Sequence, residues 1–326
     1  MKATAIAPAN IAFIKYWGRT DATLRLPANP SISMNLSAST TTTTVEFSDA
    51  LTHDVIELLE PGGFSDTEAA RVTRQLDVVR KKAGTQRFAR VVTKNTFPKS
   101  TGAASSASGF AALTVAASSA LGLALSEKEL TILARVGSGS ACRSIPDGFV
   151  KWEMGDGASS FAHSLHPSSY WELRDVLVIV GRTGKDVSSS VGHDTVSTSP
   201  FFQNRLEAIP KRITRIERAM NDKDFRTFGE VVEEDCLDMH HVMQTQVPPL
   251  MYWNEATRVV MNEVKQWRKN GIPVYFTIDA GPNVHLICEG KDETRVLEAV
   301  SGIAGVEDII RNNVSEGAKI ISEHLF

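Results

Sequence analysis

The residues of this 326-residue chain best suited to chemistry fall into four short stretches. Residues 98–109, PKSTGAASSASG, follow a strand-like run and lead into an Ala-rich helical run. Small residues let a backbone approach a ligand closely, and a helix N-terminus offers unpaired N–H groups and the positive end of a dipole. Pro98, Lys99, Ser100, Gly102, Ala103, Ala104, Ser105 and Ser106 therefore read as a phosphate cradle, and the hydroxyls of Ser105 and Ser106 are able to ligate Mg2+ or bond phosphate oxygens. The spacing is neither that of a Walker A loop nor GxGxxG. The same composition would also suit a helix packed closely on a sheet.

Residues 137–144, GSGSACRS, put Ser138, Ser140 and Arg143 within six residues and beside two glycines. That suits fork-shaped recognition of a carboxylate or phosphate, with a Ser/Gly turn and a solvated arginine as the plainer alternative. Lys15, Tyr16 and Arg19 in KYWGR form a third cationic patch, by itself only an amphipathic strand end. Asp279, in TIDAGPN, follows a strand-like run and precedes a Gly-Pro turn. Rigid backbone there would fix a carboxylate for catalysis; an Asx turn would place the same residue.

Elements that position these stretches are visible as periodicity. Strands are expected at 2–7, 11–17, 39–47, 88–93, 149–153, 176–180, 274–278 and 284–288. Helices are expected at 67–82, 105–121, 126–136, 200–220, 223–244, 255–269 and 292–303, with Ser126 and Glu129 forming a capping box. Strands dominate early and long helices late, which predicts an α+β fold rather than a doubly wound parallel sheet. The segment 181–199 has the composition of a long loop and marks the boundary between expected domains 1–181 and 182–326.

Composition narrows the class. Hydrophobic residues at 42% and charged residues at 22% describe a globular chain. Lys plus Arg number 35 against 38 Asp plus Glu, so the footprint of a nucleic-acid or anionic-membrane binder is missing. Cys142, Cys236 and Cys288 form neither a disulfide framework nor a CxxC pair, and the N-terminus lacks a secretory core, so a cytoplasmic location is expected. The apolar run 109–125 is 17 residues long and reads as a buried helix, not a membrane span. Asp238, His240 and His241 are not read as a zinc site, because adjacent helical residues diverge by about 100°. Trp152, Trp171 and Trp253 are expected in packing.

Together, APAN at 7–10, PKSTGAASSASG at 98–109 and DAGPN at 279–283 resemble the three motifs of the galactokinase, homoserine kinase, mevalonate kinase and phosphomevalonate kinase (GHMP) superfamily. ANIAFIKYWGR at 9–19, LPANPSISMNL at 26–36, GSGSACRS, KDVSSS at 185–190 and VPPLMYWN at 247–254 narrow the resemblance to the mevalonate diphosphate decarboxylase family. The resemblance implies a GHMP kinase fold: a domain like ribosomal protein S5 domain 2, then a ferredoxin-like domain, with Mg-ATP and a phosphorylated mevalonate in the cleft between them. It also implies a homodimer. The family phosphorylates the tertiary C3 hydroxyl and then eliminates phosphate and CO2. By resemblance, Asp279 accepts the hydroxyl proton, Lys15 bridges Asp279 and the transferring phosphate, and Arg143, Ser138 and Ser140 hold the carboxylate. Tyr16, Trp17, Arg19, Ser189, Ser190 and His193 face the rest of the substrate.

The pattern departs from the family in two places. KYWGK becomes KYWGR, which keeps the charge at Arg19, but the arginine of the family's VSSR becomes Ser190. Losing a bidentate arginine would cost about ten- to a hundredfold in preference for a second phosphate. This favours mevalonate 5-phosphate as substrate and isopentenyl phosphate as product, unless Arg182, Lys185 or His193 compensates. The alternatives are the 5-diphosphate, a kinase that stops at the 3-phosphate, and a non-catalytic ligand sensor.

Overall fold

The computed structural model describes residues 1–61, 63–97, 105–181 and 189–326, with the side chains of 189–191 outside the description. Among the described residues the strands are, in chain order, β1 (Lys2–Ile14), β2 (Arg19–Asp21), β3 (Leu26–Pro27), β4 (Ser31–Ser48), β5 (Val55–Leu58), β6 (Phe88–Asn95), β7 (Phe149–Trp152), β8 (Ala162–His166), β9 (Leu173–Ile179), β10 (Tyr275–Thr277), β11 (Val284–Glu289), β12 (Asp308–Asn313) and β13 (Lys319–Ile321). The helices are α1 (Asp66–Ala83), α2 (Ser105–Ala120), α3 (Glu127–Gly137), α4 (Ser189–Thr195), α5 (Phe202–Asp222), α6 (Phe225–Thr245), α7 (Glu255–Lys269) and α8 (Glu293–Ser301). The mixture is the α+β class that the sequence predicts.

One sheet runs β13-β1-β4-β6-β5, with β7 and β8 continuing from β4; β5 is parallel to β6 and the other pairs are antiparallel. The second is antiparallel, in the order β10-β11-β9-β12. Strand β9 shows why the second sheet is covered on both faces. Leu173, Leu177 and Ile179 join one apolar cluster with β1 and helices α5 and α6, while the alternate Val176, Val178 and Val180 join another with α7. In the first cluster Phe13 of β1 meets Phe228 of α6 edge-on, centroids 4.8 Å apart, so a single core bridges the two sheets.

Several expectations change. The first strand of the second sheet starts at Leu173, ahead of the expected boundary at 181, because only a sheet covered on both faces can bury a run apolar on both sides. Strand β13 returns to the first sheet. Residues 2–14 form one strand rather than two: Pro8, which lacks an N–H, is absorbed at a register shift against β4. Part of the expected 181–199 loop is α4 and a 3-10 turn, Val196–Thr198; residues 182–188 lie outside the described residues. The capping box of Ser126 and Glu129 is present. Among the described residues no helix is long and apolar enough to cross a membrane.

Candidate active site

Lys15 and Asp279 meet where the two sheets meet. After β1 the backbone of Lys15 leaves the ladder: its N–H donates to Asp235 Oδ2 of α6 at 2.7 Å, and its carbonyl accepts from Asn29 Nδ2 at 3.0 Å and Arg205 Nη2 of α5 at 3.2 Å. The Lys15 side chain, 2% exposed, then reaches Asp279, with Nζ 2.6 Å from Oδ1. Asp279 follows β10, in register with Tyr275 and Thr277 on the face toward β1, and Thr277 Oγ1 donates to Ala12 O. The preceding Ile278 is gripped by α6, its carbonyl accepting from His240 Nε2 at 3.2 Å and its N–H donating to Cys236 Sγ at 3.2 Å. Burial pushes the Asp279 carboxyl up, but the charges of Lys15, His285 and Arg143 outweigh it and hold the group below its ordinary value. Asp279 is therefore a carboxylate at neutral pH.

Arg143 lies in a 3-10 turn, Gly139–Ser144, and is buried. Its Nε donates to Ser33 Oγ at 3.1 Å, Nη1 to Ser31 Oγ at 2.7 Å and Nη2 to Asn10 Oδ1 at 3.1 Å. One N–H on each Nη is left to grip a carboxylate as a fork. Asn10 ties the turn to β1, donating from Nδ2 to Ser140 O at 3.1 Å and Ser144 Oγ at 2.8 Å. Ser138 closes α3, and its Oγ lies 3.2 Å from Ser106 Oγ. The 137–144 stretch thus touches the first turn of α2, where backbone N–H groups lack helical partners. Ser105 and Ser106 there line a cavity with Thr41, Thr93, Asn95 and Glu68, bounded by α1, α2, β4 and β6. Hydroxyls and helix N–H groups at the mouth of such a cavity fit the phosphates of a nucleotide and a hard cation. Pro98, Lys99, Ser100, Gly102, Ala103 and Ala104 lie outside the described residues, as do Arg182 and Lys185.

Other expected contacts are reassigned. Trp17 is buried among Val196, Met243 and Leu250, with its indole N–H on Gln246 Oε1 at 3.3 Å, so it packs rather than meeting substrate. Gly18 makes the turn that sends it there, with φ +99 and an N–H donated to His193 Nδ1 at 2.9 Å; a Cβ at Gly18 would lie 2.6 Å from Phe202. His193 lies against the rings of Tyr16 and Trp17, at 4.3 and 4.4 Å. Burial, then the charges of Arg19 and Arg25, push its imidazole well below the ordinary value. A neutral His193 is not the cation that Ser190 lacks. Ser189 and Ser190 open α4, and their side chains lie outside the description.

Tyr16 packs on Trp152 and accepts from Arg19 Nε at 3.0 Å, and burial raises its phenol. His240 is pushed down to about 3 by burial and supports Ile278 rather than lining the cleft. Asp238 pairs with Arg205 and Arg212, and His241 packs on Phe201. Trp152 and Trp171 are buried and Trp253 packs on His240.

Some residues that support the candidate site had weak or no sequence signal. Ser31 and Ser33 alternate with apolar residues in NPSIS, a period-two polar face that marks buried partners. Asp235 and Arg205 sit in charged helical runs indistinguishable from solvated faces, yet both are buried. Likewise Asp175 and His285 face the same side as Asp279 on adjoining strands, His285 Nδ1 lying 2.9 Å from Asp175 Oδ1.

A helix start able to take phosphates and a carboxylate held by a lysine suit phosphoryl transfer, and the two-sheet scaffold is of the GHMP type. The diphosphomevalonate decarboxylase-like N-terminal domain matches residues 7–162, and the mevalonate 5-diphosphate decarboxylase C-terminal domain matches residues 176–323. The chain is 34% identical to the diphosphomevalonate decarboxylase of Candida albicans, over 99% of each. It is also similar to the crystal structure of mevalonate diphosphate decarboxylase from Staphylococcus aureus, at TM-score 0.94 and 38% identity over 98% of each chain. A solved structure described as MDDEF in complex with MVAPP, AMPPCP and magnesium superposes at TM-score 0.93 with 38% identity, covering 98% of this chain and 99% of that one. The chain belongs to the diphosphomevalonate decarboxylase family.

Proposed function

We propose that the protein catalyses the ATP- and Mg2+-dependent decarboxylation of mevalonate 5-diphosphate to isopentenyl diphosphate. The observation that carries this reading is the 2.6 Å contact of Lys15 with Asp279, in the field of the buried Arg143. Asp279 orients the C3 hydroxyl and takes its proton as the new O–P bond forms and the γ-phosphoryl's bond to the departing ADP breaks; its depressed basicity makes that transfer late. Lys15 keeps Asp279 ionised and offsets charge on the transferring group. Ser105, Ser106 and the first-turn N–H groups of α2 would hold the nucleotide phosphates, and Mg2+ bound with them supplies charge neutralisation. Arg143 orients the substrate carboxylate. A stronger grip would stabilise the ground state and slow CO2 loss. As the C3–O bond breaks with its electron pair on the departing phosphate, the C1–C2 pair becomes the C2=C3 bond and CO2 leaves.

The preference for the 5-phosphate drawn from Ser190 gives way to the diphosphate because the relatives are described as diphosphomevalonate decarboxylases. A cytoplasmic homodimer belongs to the same reading; the dimer rests on the family resemblance and the location on three free, buried thiols. The test is release of ADP and CO2 with Mg-ATP on each substrate. We expect kcat/KM at least about tenfold higher on the diphosphate. A ratio favouring the monophosphate overturns the substrate, and ADP release without CO2 overturns the decarboxylase.

A further inference from the structure

We propose that Arg25 binds the terminal phosphate of the substrate and sets the preference for a diphosphate, supplying the cation that position 190 lacks. The proposal rests on the diphosphate reading above, but assigns a residue that neither KYWGR nor KDVSSS contains.

Arg25 lies in the turn between β2 and β3 with φ +52, a left-handed conformation that a non-glycine residue keeps only where its surroundings hold it. The hold is visible on both sides. The carbonyl of Leu24 accepts from Nε of the buried Arg135 at 3.0 Å, and Arg25 Nε donates to Val136 O at 2.9 Å. Arg71 reaches the next carbonyl, Nη2 donating to Gly137 O at 3.2 Å. The negative end of α3 explains why guanidinium groups gather at these carbonyls, but it uses one donor group of each. The four N–H bonds on Nη1 and Nη2 of Arg25 have no partner among the described residues, and no carboxylate there pairs with it.

Like charges surround Arg25 instead. Burial, followed by Arg19, Arg71 and Arg74, pushes its guanidinium down to about 10, with Tyr16 acting against them. A half-buried arginine opposed by three others is relieved by an anion. Of the carboxylates near this group, Asp194 pairs with Arg19 at 3.5 Å and is 57% exposed, so it sits at the rim, and Glu68 acts on Arg71.

Placement selects the anion. Val136 and Gly137 immediately precede Ser138, so Arg25 stands at one end of the 137–144 stretch and Arg143 at the other. Gly139 between them abuts Tyr16, whose ring a Cβ at that position would meet at 2.7 Å. Mevalonate 5-diphosphate carries its carboxylate and its diphosphate at opposite ends. With the carboxylate at Arg143 and the C3 hydroxyl at Asp279, the diphosphate extends toward Tyr16, Arg19 and Arg25.

The experiment compares Arg25→Leu, Arg25→Gln and Arg25→Lys with the wild type. It measures kcat/KM on mevalonate 5-diphosphate and 5-phosphate, and calorimetric binding of inorganic pyrophosphate and phosphate. Arg25→Leu should lose about ten- to a hundredfold on the diphosphate, chiefly in KM, and several-fold less on the monophosphate. Pyrophosphate affinity should fall in parallel, and Arg25→Lys should restore part of both. Arg25→Gln keeps a donor for the α3 carbonyl, so the same loss in a variant with wild-type melting excludes a collapsed turn. Equal losses on both substrates, or wild-type pyrophosphate binding in Arg25→Leu, overturn the proposal. The wild-type substrate ratio tests the diphosphate reading separately, because the Arg25 readout is the change in that ratio.

Discussion

Arg205 and Arg212 of α5 are buried against Asp235 and Asp238 of α6, with Arg205 3.1 Å from Asp235 and 2.9 Å from Asp238. Arg19, Arg25 and Arg71 gather near the end of α3, where Asp194 lies 3.5 Å from Arg19 and Glu68 acts on Arg71, but no carboxylate among the described residues pairs with Arg25. The residue type is the same and the electrostatic completion is opposite. A buried charge is costly unless paired, so the first group is closed and structural, holding both backbone groups of Lys15. In the second, Arg25 is left open to an anion. The comparison teaches that the sign of the residual charge, rather than the number of arginines, separates framework from binding site.

Breaking the pairing at the reacting centre should have the largest effect. Asp279→Asn keeps the shape but removes the base and the counter-charge of the buried Lys15, and kcat should fall about 10³-fold or more while ATP affinity holds. Near-normal turnover would remove Asp279 from the chemistry. Next, Asp235→Ala leaves Arg205 buried without its inner carboxylate and Lys15 N–H without an acceptor. It should lower the unfolding free energy in urea by about 3–5 kcal/mol. Arg25→Leu should change the same quantity by about 0.5 kcal/mol or less, since it relieves repulsion. Equal destabilisation by the two variants would erase the distinction between closed and open groups.

The next comparison concerns protons. His193, among the open arginines, and His240, beside the closed group, both have folded-state values lowered, His240 to about 3. Their unfolded value is near 6.5, so below that pH the unfolded chain binds more protons. Stability is complete above about pH 6.5 and declines as pH falls, with the His240 contribution exhausted near its folded value of about 3. Each histidine contributes at most about 1.4 kcal/mol per pH unit. Urea unfolding at pH 7.5 and 5.5 should show the decline, and His240→Gln should flatten it. An equally steep decline in that variant would mean that His240 is not held neutral.

Much of the molecule was legible in advance. The long helices were, because an amphipathic period depends only on residues within two turns. Lys15, Arg143 and Asp279 were identified through motifs, and the structure brings Lys15 and Asp279 into contact. Strands β12 and β13 were not, being short and half-exposed and paired with residues more than 100 positions away. Trp17 was drawn to the substrate by its place in KYWGR and His193 by its place just after KDVSSS, whereas the turn at Gly18 sends the Trp17 ring into the core. Arg25 carried no signal, since an arginine in a polar turn reads as solvated.

By itself the sequence determined the α+β class, the helix caps and the residue types that could handle phosphate and carboxylate, because these follow from local periodicity, backbone preference and side-chain chemistry. Tertiary structure alone decided which charges are paired. Lys15 and Asp279 are 264 residues apart and touch only because one core joins β1 to the second sheet. Whether a guanidinium is neutralised or open depends on the carboxylates that folding carries to it. Coulomb energy is set by distance and burial, and neither is written in the order of the residues.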